Sequence, residues 1–175
     1  MNRRRGFTLI ELVAVVVLIA LVASVATVSL QEPLKNAKRK DAIERYTAFD
    51  RAIRSWTRRR GASAKIVVDI ERNIASVEST TKRVPLNIPP FSGGRTVRIR
   101  GVRQPGQSDA KNELEIPFAE SGISPSYALE LRDALGQNQS YLLFVGVSGE
   151  VMETNDADKV MQLFQALTSR RPHTD

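Results

Sequence analysis

Apolar positions crowd the front of the chain and then change their period twice. From Leu12 to Leu30 only Ser24, Thr27 and Ser29 interrupt an apolar run. Phe7 to Leu30 is 24 residues, roughly 36 Å as a helix at about 1.5 Å per residue, enough for a hydrocarbon core of about 30 Å. The pattern predicts a transmembrane helix over 7–30; its valines are no obstacle, because in lipid the backbone can bond only to itself. Arg3, Arg4 and Arg5 ahead of it suit an N-terminus on the cytoplasmic side, yet Lys35, Lys38, Arg39 and Lys40 form a comparable cluster beyond it. Charge bias alone leaves the orientation open. A cleavable secretory signal is the alternative, with Ser24-Val25-Ala26 as a small-x-small site. Against it stands Glu11, between Ile10 and Leu12. An acid at mid-span costs roughly 2.5–3.5 kcal/mol, somewhat less near an end, and so needs a partner or a task.

Beyond Pro33, which can kink a helix or begin a second one, Ala42, Tyr46, Phe49, Ile53 and Trp56 recur at intervals of four and three. This predicts a basic amphipathic helix over 31–61, closed by Arg58-Arg59-Arg60 and a Gly61 stop. From Ala64 the period drops to two. Strands are expected over 65–70, 73–79, 83–88, 96–100, 113–118, 127–131, 140–147 and 150–154, with Pro85, Pro89 and Pro90 confining the third to an edge or bulge. Ser92-Gly93-Gly94 reads as a turn. A last helix, 155–167, has Ala157, Val160, Met161, Phe164 and Leu167 on its apolar side. The fold class is α+β: a long N-terminal helix, its first half transmembrane, packed on a small antiparallel sheet domain.

The formal charge of +7 is local. Residues 34–60 hold ten Lys/Arg against Asp41, Glu44 and Asp50, whereas residues 61–175 hold 13 basic and 14 acidic side chains. The basic helix reads as a solvated face, a contact for anionic headgroups through Lys35, Lys38, Arg39 and Lys40, or an inter-subunit charge surface. Nucleic-acid binding is the weaker reading, because no base-stacking aromatics are interleaved with these cations. With no cysteine and one histidine, His173, thiolate chemistry and the usual zinc clusters are excluded. Asp69, Glu71, Asp109, Glu113, Glu115, Glu120, Asp156 and Asp158 read as solubilising charges, not as catalysts. There is no G-x-S-x-G and no phosphate loop. No enzyme and no cofactor is expected.

Arg5-Gly6-Phe7-Thr8-Leu9-Ile10-Glu11, followed directly by the apolar run, resembles the class III signal of type IV prepilins and type II secretion pseudopilins. The resemblance implies cleavage between Gly6 and Phe7, N-methylation of Phe7, and a charge-pairing assembly role for Glu11. The runs IPFAESGISPSYALEL and YLLFVGVSGEVMET are similar to the closing strands of the H-type minor pseudopilin (GspH) and FimT group, with Phe118 as the packed aromatic and Gly122 and Gly149 at turns. The terminal helix 155–167 and the proline-broken segment 83–90 depart from that pattern. The implied organisation is a leader over 1–6, a transmembrane and filament-core helix over 7–30, the basic helix over 31–61, a β-rich domain over 62–168 and a tail over 169–175. The implied function is a minor pseudopilin of a type II secretion pseudopilus. A FimT-like minor pilin of a type IV pilus, acting in assembly or DNA uptake, and an exported soluble binding domain are the alternatives. The implied partners are other pseudopilins, the prepilin peptidase/methyltransferase, an inner-membrane assembly platform and the lipid bilayer. The implied location is the bacterial inner membrane, single-pass, with a cytoplasmic N-terminus and a periplasmic sheet domain.

Overall fold

The computed structural model describes residues 9–80, 85–106, 113–134, 136 and 138–169, with side chains at all of these but 25–33, 35, 113, 168 and 169. The chain divides into two units between Ala37 and Lys38. Helix α1 (Leu9–Arg60) supplies the described part of the first and opens the second; its helical assignment runs through Pro33.

Among the described residues no helix is long and apolar enough to cross a membrane. The segment concerned is the apolar N-terminal part of α1. It also carries Glu11 in its first turn. This overturns the transmembrane assignment of 7–30, and with it the single-pass inner-membrane location.

In the second unit the stripe on α1 is wider than its spacing suggests. Ala42, Tyr46, Phe49, Ile53 and Trp56 are buried, and so are Asp50, Arg54 and Thr57 beside them. The arc is wide because two sheets share it. One has the order β3-β2-β1-β5, built from β1 (Ala64–Asp69), β2 (Ile74–Ser79), β3 (Phe91–Ser92) and β5 (Glu113–Phe118). The other has the order β4-β6-β7-β8, from β4 (Val97–Arg103), β6 (Tyr127–Asp133), β7 (Gln139–Phe144) and β8 (Val151–Thr154). All pairings are antiparallel. Ile66 and Val68, Ile116 and Phe118, Ile99 and Val102, Tyr127 and Leu129, and Leu142 and Phe144 form one core with the helix. Each fully buried large side chain contributes roughly 1.5–3 kcal/mol.

A second, smaller core lies on the outer face of β6 and β7. There Ala128, Tyr141 and Leu143 meet Val160 and Phe164 of α2 (Ala157–Ser169). Met161, expected inward, is 49% exposed, and Leu163 packs in its place. The expected strand over 83–88 falls partly on 81–84, outside the described residues; from Pro85 to Pro90 the chain is irregular, since prolines give no N–H to a ladder. Ser92, expected in a turn, instead forms β3 with Phe91 against Ile74 and Ala75. Strand β7 stops at Phe144 rather than Val147, for a reason that lies in Gly146.

Candidate functional site

Two constructions carry the chemistry of the molecule. The first is the N-terminal part of α1. Its large apolar side chains from Leu9 to Val22 are all exposed, Leu9 at 84% and Val22 at 69%, and they occupy every face of the helix. A helix that is apolar all round is one that needs an apolar enclosure. Glu11 stands in its first turn, where the helix dipole favours a negative charge. Leu18, Ile19, Val22 and Ala23 shape a shallow apolar depression on this helix. Gly6 and Phe7 lie outside the described residues.

The second is a buried polar clasp on the later part of α1. Asp50 and Arg54 are one turn apart, and Arg54 Nε donates to Asp50 Oδ2 at 2.6 Å. The same guanidinium reaches three places in two loops: Nη1 donates to the carbonyls of Gly122 (3.1 Å) and Gly146 (2.7 Å), and Nη2 to Ser124 Oγ (3.0 Å). Its Cζ stands 5.1 Å from the centre of the Phe118 ring. The Tyr127 hydroxyl donates to Asp50 Oδ1 at 2.8 Å, and its ring stacks on Phe144 at 4.6 Å. Burial, then the nearby Tyr46 and Asp50, push the Tyr127 hydroxyl well above its ordinary pKa. Burial also raises that of Tyr46, whose hydroxyl is fully buried beside that of Tyr127. The clasp therefore fixes the turn after β5 and the β7–β8 hairpin onto α1. It also explains the end of β7: a Cβ at Gly146 would lie 1.9 Å from the Ser124 carbonyl oxygen, so only glycine lets the two loops meet.

A smaller latch joins the two sheets. Asn73, at φ 58°, closes the β1–β2 turn, and its side-chain amide donates to the carbonyls of Gly94 and Val97. Its Oδ1 accepts from the Ile99 amide at 2.8 Å, at the start of β4.

The acidic residues singled out in the sequence are dispersed. Asp69 accepts from the Arg72 amide, Glu115 pairs with Lys65, and Asp156 caps α2 by accepting from the Asp158 amide. Asp109 is outside the described residues, as is the Glu113 side chain. No group of three His, Cys, Asp or Glu that could hold a metal ion occurs among the described residues. Phe118 is buried, and Gly122 and Gly149 sit at turns with φ of 80° and 72°. Sequence reasoning missed Asp50, Arg54 and Asn73. The i,i+4 spacing of Asp50 and Arg54 on the buried side of the stripe was the available signal.

The description "Prokaryotic N-terminal methylation motif" matches residues 1–27. The fold is similar to that of the minor pseudopilin EpsH from the Type 2 Secretion System of Vibrio cholerae, with a TM-score of 0.55 at 8% identity, over 69% of this chain and 97% of that one. The chain thus joins a prepilin-type N-terminal motif to a pseudopilin-like α+β fold. No curated protein sequence matches it. Identity this low speaks for the fold alone.

Proposed function

We propose that this protein is a structural, non-catalytic subunit of a pilin-like filament, specifically a minor pseudopilin of a type II secretion pseudopilus. The observation that carries the reading is the pairing of a methylation motif over 1–27 with a helix whose apolar residues are exposed on every face, on a chain with a pseudopilin-like fold. A prepilin peptidase/methyltransferase trims the chain between Gly6 and Phe7 and methylates the new amine. The apolar helix then packs among the helices of other pseudopilins on an assembly platform. Glu11, entering that apolar bundle, takes the Phe7 amine of a neighbour as its cation. A buried ion pair of this kind adds little net stability but is costly to break, about 3–5 kcal/mol for loss of one partner, so it serves as a register pin. The polar clasp at Arg54 holds the two sheets on the same helix, giving the subunit a rigid head.

Intact-mass analysis of the protein purified from cells tests the first step. Loss of residues 1–6 with one added methyl group is expected; an N-terminus near Thr27 would restore the secretory-signal reading. Deleting the gene then separates the systems. A secretion defect with pili intact supports the pseudopilin, and the reverse assigns the chain to a FimT-like minor pilin.

A further inference from the structure

The two sheets turn chemically opposite outer faces to solvent. On the first, Lys65 of β1 pairs with Glu78 of β2 at 3.4 Å and with Glu115 of β5, while Asp69 at the far end of β1 pairs with Arg72. Among the described side chains, three carboxylates face two cations. On the second, Arg98 and Arg100 of β4 and Arg132 of β6, with Arg103 at the end of β4, share the face with one carboxylate among the described strand residues, Glu130. Glu130 is already engaged, accepting from Arg132 Nε at 2.8 Å. Register sets Arg98 directly opposite Arg132, and like charges so placed are destabilising. Arg100 falls at the bulge between Ile99 and Gly101, and Arg103 lies over the Tyr141 ring. Among the described residues Arg98 and Arg100, both exposed, have no acceptor side chain. Helix α2 covers Ala128, Tyr141 and Leu143 on the same face and leaves Arg98 and Arg100 exposed.

We propose that the arginine face of β4 and β6 docks onto the carboxylate face of β1, β2 and β5 of a second copy of this chain. The outer faces are pleated sheet surfaces, and planar guanidiniums pair with carboxylates bidentately, which suits the meeting of two such surfaces. An opposing set of carboxylates relieves the Arg98–Arg132 repulsion that the isolated domain bears. Because the two faces are different surfaces, the contact is head-to-tail: each copy keeps one free face of each kind, and the association propagates unless its rotation closes a ring. Single-stranded nucleic acid fits less well, since Tyr141, the aromatic beside these arginines, is 3% exposed and cannot stack a base. The contact is independent of the N-terminal processing proposed above.

The chain has no cysteine, so introduced cysteines report this contact alone. Full-length Arg100→Cys mixed with full-length Glu78→Cys at low salt under mild oxidation should form a disulfide-linked heterodimer. Its yield should exceed by about tenfold that of Arg100→Cys mixed with Ser148→Cys, on an exposed hairpin turn, and should fall at about 0.5 M salt. Adding Arg98→Glu to the first copy should abolish the link, and adding Glu115→Lys to the second should then restore it. Equal yields for the two pairings, or a yield indifferent to salt and to the charge swap, overturns the proposal. Binding of duplex DNA that Arg98→Glu abolishes, with no rescue by the swap, assigns the face to nucleic acid and overturns it as well.

Discussion

Arg54 and Asp50, one turn apart on α1, form a buried ion pair whose cation is shared with two loops far away in sequence: Nε meets Asp50 Oδ2 at 2.6 Å while Nη1 holds the carbonyls of Gly122 and Gly146. Burying both charges is tolerable only because every hydrogen-bonding group of the pair is engaged. Asp50→Ala or Arg54→Ala should each cost about 3–5 kcal/mol, since the surviving charge stays buried. Arg54→Lys should recover little of that, because one ammonium cannot span Asp50, Ser124 and two carbonyls. The double alanine variant should fall short of the sum of the two. Denaturant unfolding followed by fluorescence of Trp56, the only tryptophan and 7% exposed, measures all four.

Gly146 and Gly136 make a matched pair of tests. At Gly146 a methyl group would lie 1.9 Å from the Ser124 carbonyl oxygen and 2.7 Å from the Pro125 carbonyl carbon, so Gly146→Ala must part the two loops that Arg54 holds. At Gly136, φ 71°, nothing stands within 4 Å, and Gly136→Ala bears only the left-handed backbone cost of about 1–2 kcal/mol. Melting temperatures should separate the two variants clearly, with Gly146→Ala the lower.

Asn73 closes the β1–β2 turn at φ 58° and makes three side-chain hydrogen bonds, two to β4 and one to Gly94 just before it. Asn73→Gly keeps the backbone conformation but leaves the Ile99 amide without its acceptor, a loss of about 1–3 kcal/mol. Asn73→Ala should be worse, having the same loss plus the left-handed strain. A reversed order, with alanine better tolerated than glycine, would show that the turn relaxes and that the latch is not needed.

Alkaline pH should unfold the protein through its tyrosines. Burial raises the pKa of Tyr46 and Tyr127, and burial followed by the nearby Glu130 raises that of Tyr141. Lys65 is raised too, chiefly by its bond to Glu115. In each case the folded state holds its proton more tightly than the unfolded state. The stability is therefore complete below about pH 10, where the unfolded groups begin to titrate, and is lost as pH rises towards the folded values. Each buried tyrosine adds at most about 1.4 kcal/mol per pH unit to that loss. Tyr127→Phe should lower stability at neutral pH by removing the bond to Asp50, yet flatten the decline above pH 10.

What the sequence made legible was periodic. Spacings of four and three from Ala42 to Trp56 showed the buried side of α1, and alternation at Val97-Arg98-Ile99 showed which side of β4 faces the core. Two sheets in place of one were hidden, because strand pairing is set by which inner faces fit around the helix and not by any one strand's pattern. Arg54 looked like one more cation of a basic helix; only the convergence of Gly122, Ser124 and Gly146 on it makes burial affordable. The apolar run at 7–30 showed its chemistry plainly but not its setting, since a helix apolar on every face can be enclosed by protein as well as by lipid.

Glu11 carries the proposed assembly mechanism and gives the sharpest test of it. Glu11→Val removes the carboxylate from the first turn of α1 and leaves every apolar neighbour in place. Trimming should survive, because the proposed cut between Gly6 and Phe7 lies four peptide bonds upstream; Gly6→Glu, by contrast, should leave the precursor whole. What should fail with Glu11→Val is incorporation. The Phe7 amine of a neighbouring subunit would enter an apolar helix bundle with no counter-charge, a defect of about 3–5 kcal/mol when one partner of a buried pair is lost. The expected result is a separation of effects: mature-length protein at normal abundance in cells, absent from sheared filaments and from cross-links to other pseudopilins. Glu11→Asp keeps the charge but shortens its reach by one methylene, and should incorporate to an intermediate degree. Full incorporation of Glu11→Val would reject the register-pin role. A subunit seated at the very tip has a neighbour on one side only, so the rejection extends to the filament reading itself only if Phe7 also proves unmethylated.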